Sequence, residues 1–394
     1  MTRTIWTRRR LAMRLVRLIG AALALSTCVD WTMQAQQAAP ARTRIDVSKL
    51  GPQVGQLVPD FRLPDQAGKV WTRASIMGPK GALLLFYRSA DWCPYCKTQL
   101  VDLQSRLEQL RAQGLGVAAI SYDPVPVLAE FAGRQHITFP LLSDQGSATI
   151  KAFGILNPLP AMAFGPEKDD PAVVAELQKY VSGGKPNPSW QGIAFPGTFI
   201  LEPSGRVRQR FFEDYYVERA TVSNIMLRLG QGQAPVSATR VTGEHLDVVS
   251  YATDTDIAAG NRFAVAVQVT PHPGVHVYAP GAANYQTVAV HIAPQADLRV
   301  LPAVYPASEP YVFKPLNERV PVYQKPFTLV QELVLEGTAA AQASRRGQTS
   351  LTVQGTFAYQ ACDDTTCFNP VSVPLTWTFT LKGLVTQRAT APPQ

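Results

Sequence analysis

Two cysteines separated by two residues, Cys93 and Cys96, set the narrowest limits on how this chain folds. The pair directly follows an apolar run at residues 83–87 and precedes leucines at helical spacing, so it lies where a buried strand gives way to a helix. A dithiol at such a junction is typical of redox chemistry. A second close pair, Cys362 and Cys367, stands much later in a segment of different pattern. The sequence therefore predicts two redox-capable sites in two domains.

The first 40 residues have the composition of an export leader. They carry six arginines, one acidic residue and the apolar stretch Leu18–Val29, which is too short to span a bilayer. Residues 7–11 resemble a twin-arginine signal, and residues 25–28 resemble a lipoprotein box in which Cys28 would become a lipidated N-terminus. We therefore expect an exported, periplasmic protein, with lipid anchoring through Cys28 as an alternative.

The charge of the remaining chain argues against a nucleic-acid partner. Without the leader, the formal net charge of +8 falls to about +3, and no basic patch interleaved with aromatic residues stands elsewhere. No second apolar stretch is long enough for a transmembrane helix. The remaining length suffices for two domains, each with its own core, and export would place the cysteines where disulfides persist.

The rhythm of the sequence changes near residue 230. Residues 50–230 alternate strands and helices with short links, which predicts an α/β domain. Residues 231–240 form a small-residue linker, residues 241–384 predict an all-β sandwich with Pro- and Gly-rich turns, and residues 385–394 form a tail. In the first domain we expect strands at 82–87, 117–121, 137–142, 197–202 and 206–212, and helices at 96–113, 124–134, 148–153, 171–181 and 217–229. In the second we expect strands at 263–270, 287–292, 327–335, 350–358 and 371–381.

One segment, residues 156–193, interrupts the α/β rhythm. Pro- and Gly-rich stretches flank its single helical pattern. Such an insertion lies either beside a substrate groove or on the solvated surface, and the sequence leaves both interpretations open.

Three segments of the first domain match a known pattern: Gly55–Phe61, Phe86–Cys96 and Phe195–Phe199. The middle segment includes the motif residues Trp92, Pro94 and Tyr95. On these segments, residues 50–230 resemble the thioredoxin superfamily, in its peroxiredoxin-like (redoxin, AhpC/TSA-type) branch. The resemblance implies that Pro196 is cis and lies against the cysteine pair. It also implies that the backbone of Phe195 is free to pair with an incoming chain.

The position of Cys93 just before a helix supports a reactive role. Unpaired backbone N–H groups and the helix dipole favour a thiolate there, and Cys96 is close enough to resolve a mixed disulfide. A zinc site would usually need two more soft ligands, which do not lie nearby in sequence. A structural disulfide is the other alternative.

The residues around the pair also bear on the choice between disulfide exchange and peroxide reduction. A peroxiredoxin has Thr or Ser three residues before its peroxidatic cysteine and an arginine on a later strand. Here the residue three before Cys93 is Ala90, and the residue three before Cys96 is Cys93, so neither cysteine has the Thr or Ser. The later strand, which follows Phe195, has no arginine where a peroxiredoxin has one. These departures favour dithiol exchange. The buried acid that thioredoxin carries on its active-site strand has no equivalent in residues 83–87.

The second cysteine pair stands within Tyr359–Pro370, and the segment Pro273–Tyr278 precedes it. In this order the two motifs resemble the N-terminal periplasmic domain of the thiol:disulfide interchange protein DsbD, over about residues 245–382. The resemblance implies an immunoglobulin-like sandwich in which Cys362 and Cys367 cycle, with Cys367 as the sulfur attacked.

Other residues of the second domain have supporting or structural roles in this interpretation. Tyr359 begins the redox segment, and Tyr311 and Phe313 are candidates for a cap over the pair. We expect His272 and His276 to pack rather than to bind a metal. A structural disulfide that joins two strands is the alternative to a redox pair.

We therefore predict an α/β thioredoxin-like fold followed by an all-β immunoglobulin-like sandwich. The expected function is an exported thiol:disulfide oxidoreductase whose second pair relays electrons. The alternatives are a peroxiredoxin-like thiol peroxidase and a redox domain with a non-catalytic, partner-binding sandwich. Expected partners are protein disulfides or thiols of the periplasm, with a membrane-bound thiol reductase as the candidate electron donor. We expect no metal, no cofactor and no nucleic acid.

Overall fold

The computed structural model describes residues 45–180, 187–212, 217–230, 238–313 and 318–390. These residues fall in one compact unit. The expected leader and most of the expected linker lie outside the described residues. None of the helices in the described ranges is long and apolar enough to cross a membrane.

The elements of the first half follow the alternation that the sequence predicts. Its strands are β1 (Arg62–Pro64), β2 (Val70–Thr72), β3 (Ala82–Phe86), β4 (Gly116–Ser121), β5 (Leu141–Ser143), β6 (Gly197–Leu201), β7 (Val207–Phe212) and β8 (Arg219–Ala220). Its helices are α1 (Pro94–Ser105), α2 (Leu107–Ala112), α3 (Val125–Gln135), α4 (Ala148–Ala152), α5 (Leu159–Met162), α6 (Pro171–Tyr180) and α7 (Val222–Arg228). Short 3-10 helices span Val47–Lys49 and Pro188–Trp190.

A five-stranded sheet in the order β5-β4-β3-β6-β7 forms the centre of this half. The first three of these strands are parallel, β6 runs antiparallel to β3, and β7 runs antiparallel to β6. Strand β3 is buried along its whole length because all its residues are apolar. Its side chains enter two separate cores, with Leu83 and Leu85 in one and Leu84 and Phe86 in the other. Both faces of the sheet are therefore covered, as the apolar run predicts.

The helix expected at residues 96–113 differs from the prediction. It is two helices, α1 and α2, because the backbone of Arg106 leaves the helical region with φ −104° and ψ 4°. Helix α1 begins at Pro94, with Cys93 as its N-cap. Proline suits the first position of a helix because its φ angle is already helical and its missing N–H is not needed there.

The second half consists almost entirely of strands. They are β9 (Thr239–Thr242), β10 (Leu246–Ala252), β11 (Asp256–Ala258), β12 (Asn261–Pro271), β13 (His276–Tyr278), β14 (Ala289–Ile292), β15 (Leu298–Val300), β16 (Glu309–Phe313), β17 (Glu318–Tyr323), β18 (Phe327–Leu335), β19 (Ser350–Tyr359), β20 (Ala361–Cys362) and β21 (Val371–Lys382). One helix, α8 (Ala339–Ser344), lies between β18 and β19. The five strands expected from alternating apolar residues are all present among them.

These strands form three sheets. Their orders are β15-β18-β12-β10-β9, β11-β21-β19-β14 and β16-β17-β13-β20. Side chains of the first two sheets share one core, in which Val265 of β12 lies with Val353 of β19 and Trp377 of β21. The indole N–H of Trp377 also donates to Ser250 Oγ of the other sheet at 3.0 Å. Two β layers around one apolar core agree with the predicted class, and the immunoglobulin-like topology stays a prediction.

The two halves are joined by a shared sheet. Strand β8 pairs in parallel with β12, so Arg219 lies opposite Asn261. Gly260, at φ 83°, permits this approach because a side chain there would meet the Val217 carbonyl and the Tyr95 ring. The Arg219 N–H donates to the Gly260 carbonyl at 2.8 Å. The last strand of the first half is therefore an added strand of the second.

Two buried carboxyl groups lie beside this junction. Asp102 of α1 accepts the backbone N–H of Val222 at 3.0 Å, and Asp254 accepts the Thr221 hydroxyl at 2.8 Å. Burial, together with the nearby Asp254 charge, raises the pKa of Asp102 to about 6. Burial also raises the pKa of Asp254. Ionisation of these groups therefore opposes docking of the two halves.

This arrangement predicts that stability falls as the pH rises from about 4 to about 6. In that window the folded protein keeps the Asp102 proton, because the pKa is about 6 there, whereas the unfolded chain, with an ordinary pKa of 3.8, has already lost it. The substitution Asp102→Asn keeps an acceptor for Val222 and removes the charge. It should raise the free energy of unfolding at neutral pH by about 2 kcal/mol and flatten the decline, as measured by urea denaturation at several pH values. The exposed Asp169→Asn serves as the control, and a decline of undiminished slope in Asp102→Asn would contradict the assignment.

Candidate redox sites

The structure joins Cys93 to Cys96 by a disulfide, with Cα atoms 5.3 Å apart. Both residues are fully buried. Cys93 caps the N-terminus of α1, and its Sγ atom accepts the Cys96 N–H at 3.2 Å. A thiolate at this position would receive a backbone hydrogen bond and face the positive end of the helix dipole.

A buried guanidinium contacts each sulfur of this pair. Arg88 Nη2 lies 3.2 Å from Cys93 Sγ, and Arg219 Nη2 lies 3.2 Å from Cys96 Sγ. A guanidinium stays protonated, so it stabilises a thiolate beside it and lowers the thiol pKa. The sequence-based expectation that the peroxiredoxin arginine is absent from the later strand did not foresee these two residues. That expectation considered only the strand after Phe195, whereas one arginine follows β3 and the other lies on β8.

A buried carboxylate holds the loop that leads to Cys93. Asp123, directly after β4, accepts the Ala90 N–H at 2.7 Å and the hydroxyls of Ser89 and Ser121 at 2.8 Å each. The Ser89 hydroxyl oxygen in turn accepts the Asp91 N–H at 2.9 Å. Burial raises the pKa of Asp123 to about 6, although these hydrogen bonds oppose the shift. A buried acid is therefore present near the pair, and it was missed because it follows the neighbouring strand and not residues 83–87.

The aromatic residues of the motif face two different parts of the molecule. The Trp92 ring stacks on Trp190 at 5.0 Å, and its N–H donates to the Tyr122 hydroxyl at 2.9 Å. The inserted segment thus contacts the redox loop, and its position beside a substrate groove stays a prediction. The Tyr95 hydroxyl donates to the Gly337 carbonyl at 2.5 Å, so this residue docks on the second half.

Two expectations about Phe195 and Pro196 are wrong. No peptide bond in the described residues is cis, so the Phe195–Pro196 bond is trans, the form that X–Pro bonds favour unless the surroundings select the other. The Phe195 N–H donates to the Ile155 carbonyl at 2.8 Å. The chain's own segment before the insertion therefore occupies the backbone position expected to receive a partner. Pro196 is buried and leads into β6, whose Gly197 pairs with Phe86 at the end of β3.

The second disulfide joins Cys362 to Cys367, with Cα atoms 4.1 Å apart. Cys362 is buried and Cys367 is half-buried. The Tyr278 hydroxyl lies 3.0 Å from the first sulfur and 3.2 Å from the second. Burial raises the pKa of Tyr278, so its hydroxyl stays protonated and can donate to sulfur. The Tyr278 ring stacks on Tyr285 at 3.9 Å.

Polar and aromatic side chains surround this second pair. The Tyr311 hydroxyl donates to Asp364 Oδ1 at 2.6 Å, and the buried His276 ring lies 4.2 Å from the Tyr311 ring. The side chain of Phe313, the other expected cap residue, lies outside the described residues. Tyr359 lies in the sandwich core, where it stacks on Phe357. His272 is half-buried, with Nε2 3.5 Å from Asp247.

The structure does not bring the two pairs together. Cys93 and Cys96 belong to the core of the first half, whereas Cys362 and Cys367 lie in or against a small cluster around Tyr278. Within the described ranges, no group of three or more His, Cys, Asp or Glu side chains could hold a metal ion. Each pair therefore has its own chemical surroundings.

Comparison with known proteins places the first half in a family. The AhpC/TSA family model matches residues 54–210. The alkyl hydroperoxide reductase E of Mycobacterium bovis is 33% identical over 157 residues, which are 39% of this chain and 82% of that protein. The chain belongs to the AhpC/TSA family. This membership confirms the thioredoxin-like fold of the N-terminal region.

Other similar proteins carry peroxiredoxin names. Peroxiredoxin Bcp of Escherichia coli is 33% identical over 101 residues, which are 26% of this chain, and the chain spans 64% of the length of that relative. Among solved structures, peroxidoxin BcpB of Mycobacterium tuberculosis has a TM-score of 0.32 and 21% identity, and the match covers 42% of this chain and 89% of that one. The family match ends at residue 210, so it does not test the resemblance of the second half to DsbD.

The contacts of the two arginines predict unequal thiol reactivity in the reduced protein. Cys93 has two donors and Cys96 one, so Cys93 should have the lower thiol pKa and alkylate faster at neutral pH. Replacement of Arg88 by Met should raise the pKa of Cys93 by about 1 or more, and Arg219→Met should act mainly on Cys96. The measurement is alkylation rate against pH, with peptide mapping to separate the cysteines. Arg208→Met, at an exposed arginine, is the control, and equal rates for both cysteines in the wild-type protein would refute the assignment.

Proposed function

We propose that this protein is a thiol-dependent peroxidase in which Cys93 attacks the peroxide and Cys96 resolves the product. The observation that carries the proposal is the pair of buried guanidinium groups, each 3.2 Å from one of the two sulfurs. Membership of the AhpC/TSA family, with relatives named peroxiredoxin and alkyl hydroperoxide reductase, supports it. The sequence favoured dithiol exchange because it lacks Thr or Ser three residues before either cysteine and an arginine at the later strand, and only the second of these departures is met by Arg88 and Arg219.

The reaction can be written with balanced atoms and electrons. The Cys93 thiolate attacks one oxygen of a hydroperoxide, the O–O bond breaks, and the sulfur becomes a sulfenic acid while an alkoxide or hydroxide leaves and takes up a proton. The Cys96 thiol then attacks this sulfur, releases water and closes the disulfide. A two-electron thiol reductant restores both thiols. The disulfide between these residues corresponds to the oxidised end of this cycle.

The buried charges suit each step. Arg88 stabilises the attacking thiolate and can donate to the leaving oxygen, since negative charge develops there in the transition state. Arg219 stabilises the Cys96 thiolate, which must form before resolution. Asp123 holds the loop between β3 and α1, so the sulfurs keep their positions while their charges change. Disulfide exchange with a protein would use the same thiolates, but it needs no cation directed at a leaving oxygen.

The peroxidase proposal predicts rapid removal of hydrogen peroxide and of an alkyl hydroperoxide by the full chain with dithiothreitol as reductant. Cys93→Ser should reduce turnover to background, because the attacking sulfur is gone. Arg88→Met should lower the second-order rate constant by about a hundredfold, the usual loss for one electrostatic donor. Turnover is followed by peroxide loss in stopped-flow mixing.

Two further variants make the result interpretable. Cys96→Ser should accumulate a sulfenic acid on Cys93 that a dimedone probe captures. The double variant Cys362→Ser, Cys367→Ser should keep full turnover with dithiothreitol, since a small dithiol reduces the first pair directly. If the wild-type protein removes peroxide no faster than Cys93→Ser but reduces insulin disulfides rapidly, the protein is a dithiol oxidoreductase instead.

We also propose that Cys362 and Cys367 relay electrons to the first pair. Three features support a redox role over a structural one: the half-buried Cys367 sulfur, the Tyr278 hydroxyl within 3.2 Å of both sulfurs, and the resemblance of the surrounding motifs to DsbD. A phenol that donates to sulfur eases departure of a thiolate during disulfide exchange. In this proposal the protein acts after export, on periplasmic partners, and a membrane-bound thiol reductase supplies the electrons.

The relay predicts a trapped bond between the two halves. In the double variant Cys96→Ala, Cys362→Ala, mild oxidation should join Cys93 to Cys367 whenever the pairing of β8 with β12 opens, because each cysteine lacks its usual partner and the two halves stay tethered. Peptide mapping under non-reducing conditions detects the bond. The variant Cys93→Ala, Cys362→Ala is the matched control. Absence of the bond, while each pair still exchanges with small disulfides, would mean that the pairs serve external partners.

A further inference from the structure

The chain after β21 returns to the first half and lies beside the redox loop. The apolar side chain of Val385 packs against the core that contains Cys93 and Cys96. From there the segment continues to Thr390, whose N–H donates to the Glu130 carboxylate at 2.9 Å. Residues 385–390, here called the tail segment, thus lie along α1 and across the side chains of α3.

Most contacts of the tail segment use its backbone and not its side chains. Side chains of the first half provide the partners: Thr98 accepts the Val385 N–H at 3.0 Å, Lys97 donates to the Gln387 carbonyl at 2.7 Å, Arg134 donates to the Arg388 carbonyl at 3.0 Å, and Asp91 accepts the Ala389 N–H at 2.8 Å. Recognition through backbone groups accepts many sequences, as in other sites that bind extended peptides. We call the surface formed by these side chains and Glu130 the tail groove.

One side chain of the tail segment makes a specific polar contact. Arg388 binds the Asp91 carboxylate with two nitrogens, Nη2 at 2.5 Å and Nε at 3.3 Å. Paired contacts of this kind are directional and are not reproduced by other residues. Together with Val385, this contact selects an aliphatic residue followed three positions later by an arginine.

Two charged groups of the tail groove, the Lys97 ammonium and the Asp91 carboxylate, are hydrogen-bonded to the tail segment. Lys97 is fully buried, and its Nζ atom donates both to the Asp91 carbonyl at 2.6 Å and to the Gln387 carbonyl at 2.7 Å. Without the tail segment, this buried ammonium would lose one acceptor and the Asp91 carboxylate would lose the Arg388 guanidinium. Each loss would raise the free energy of the folded protein, because a charged group in a partly desolvated site is destabilised when it loses its partner. The tail segment therefore completes the hydrogen bonding of these two charged groups, and an extended polypeptide with the same groups could do so in its place.

The backbone position at which the thioredoxin-superfamily resemblance implies a partner chain is already filled. The Phe195 N–H donates to the Ile155 carbonyl, so an incoming strand cannot pair there without displacing the chain's own segment. The tail groove is the surface next to Cys93 that does hold an extended polypeptide. Both cysteines are fully buried in this closed arrangement.

We propose that the tail groove is a binding site for an extended polypeptide segment of a protein redox partner, filled in cis by residues 385–390. The segment it takes has an aliphatic residue and an arginine three positions apart. The tail segment competes at the high effective concentration of a tethered ligand, so a partner gains access when the tail leaves. This inference goes beyond the peroxidase proposal, and its test uses binding and not peroxide turnover.

The test measures binding of a fluorescent peptide, Leu-Val-Thr-Gln-Arg-Ala-Thr, which copies residues 384–390, to the full chain by anisotropy. Arg388→Ala weakens the protein's own tail, so it should bind the peptide at least about tenfold more tightly than the wild-type protein does. Gln387→Ala is the matched control, because Gln387 contacts Lys97 through its backbone carbonyl and the residue is exposed, and it should bind like the wild-type protein. Ala389→Pro, which removes the N–H bound by Asp91, is a second way to release the tail and should behave like Arg388→Ala.

Two changes test whether the peptide occupies the proposed site. Replacing the peptide arginine by glutamate, or adding Asp91→Asn to Arg388→Ala, should each weaken binding about tenfold or more. Equal binding by wild-type and both released variants, or binding that ignores the peptide arginine, overturns the proposal. Thermal unfolding of each variant verifies that it folds. Peroxide turnover measured in parallel shows separately whether the peroxidase proposal holds.

Discussion

The pairing of β8 with β12 is the interaction on which the site depends most. It adds the last strand of the first half to a sheet of the second, and it carries Arg219 to Cys96. A charged side chain on a two-residue strand would otherwise remain in water. Here the sheet of the second half and the approach at Gly260 bury it. The β-rich half is thus part of the first redox site and is not only attached to it.

Burial determines how the groups around the first pair behave. Inside the protein a guanidinium interacts more strongly with a thiolate than it would in water. The same burial opposes ionisation of Asp123, whose pKa is raised to about 6 although three donors face its carboxylate. The redox loop therefore depends on a charge that the protein tolerates only because its hydrogen bonds are complete.

Sequence patterns predicted much of the fold because those features are local. Alternation in the second half gave strands such as β18 and β19 nearly to the residue, and the apolar run gave β3. Local patterns failed where a distant contact decides the outcome. The position of the Phe195 backbone, bonded to Ile155, belongs to this class.

The sequence alone determined that Cys93 lies between a buried strand and a helix, because the apolar run and the leucine spacing act within a few residues, whereas the start of that helix at Pro94 came from the structure. It also indicated the second pair and its β-rich surroundings. The tertiary structure alone decided which charges meet the sulfurs. Arg219 contacts a cysteine 123 residues away, and Arg388 contacts Asp91 across 297 residues. Such contacts depend on how the sheets and the tail segment pack against the first half. The sequence around Arg219 or Arg388 contains no periodic pattern that would predict them.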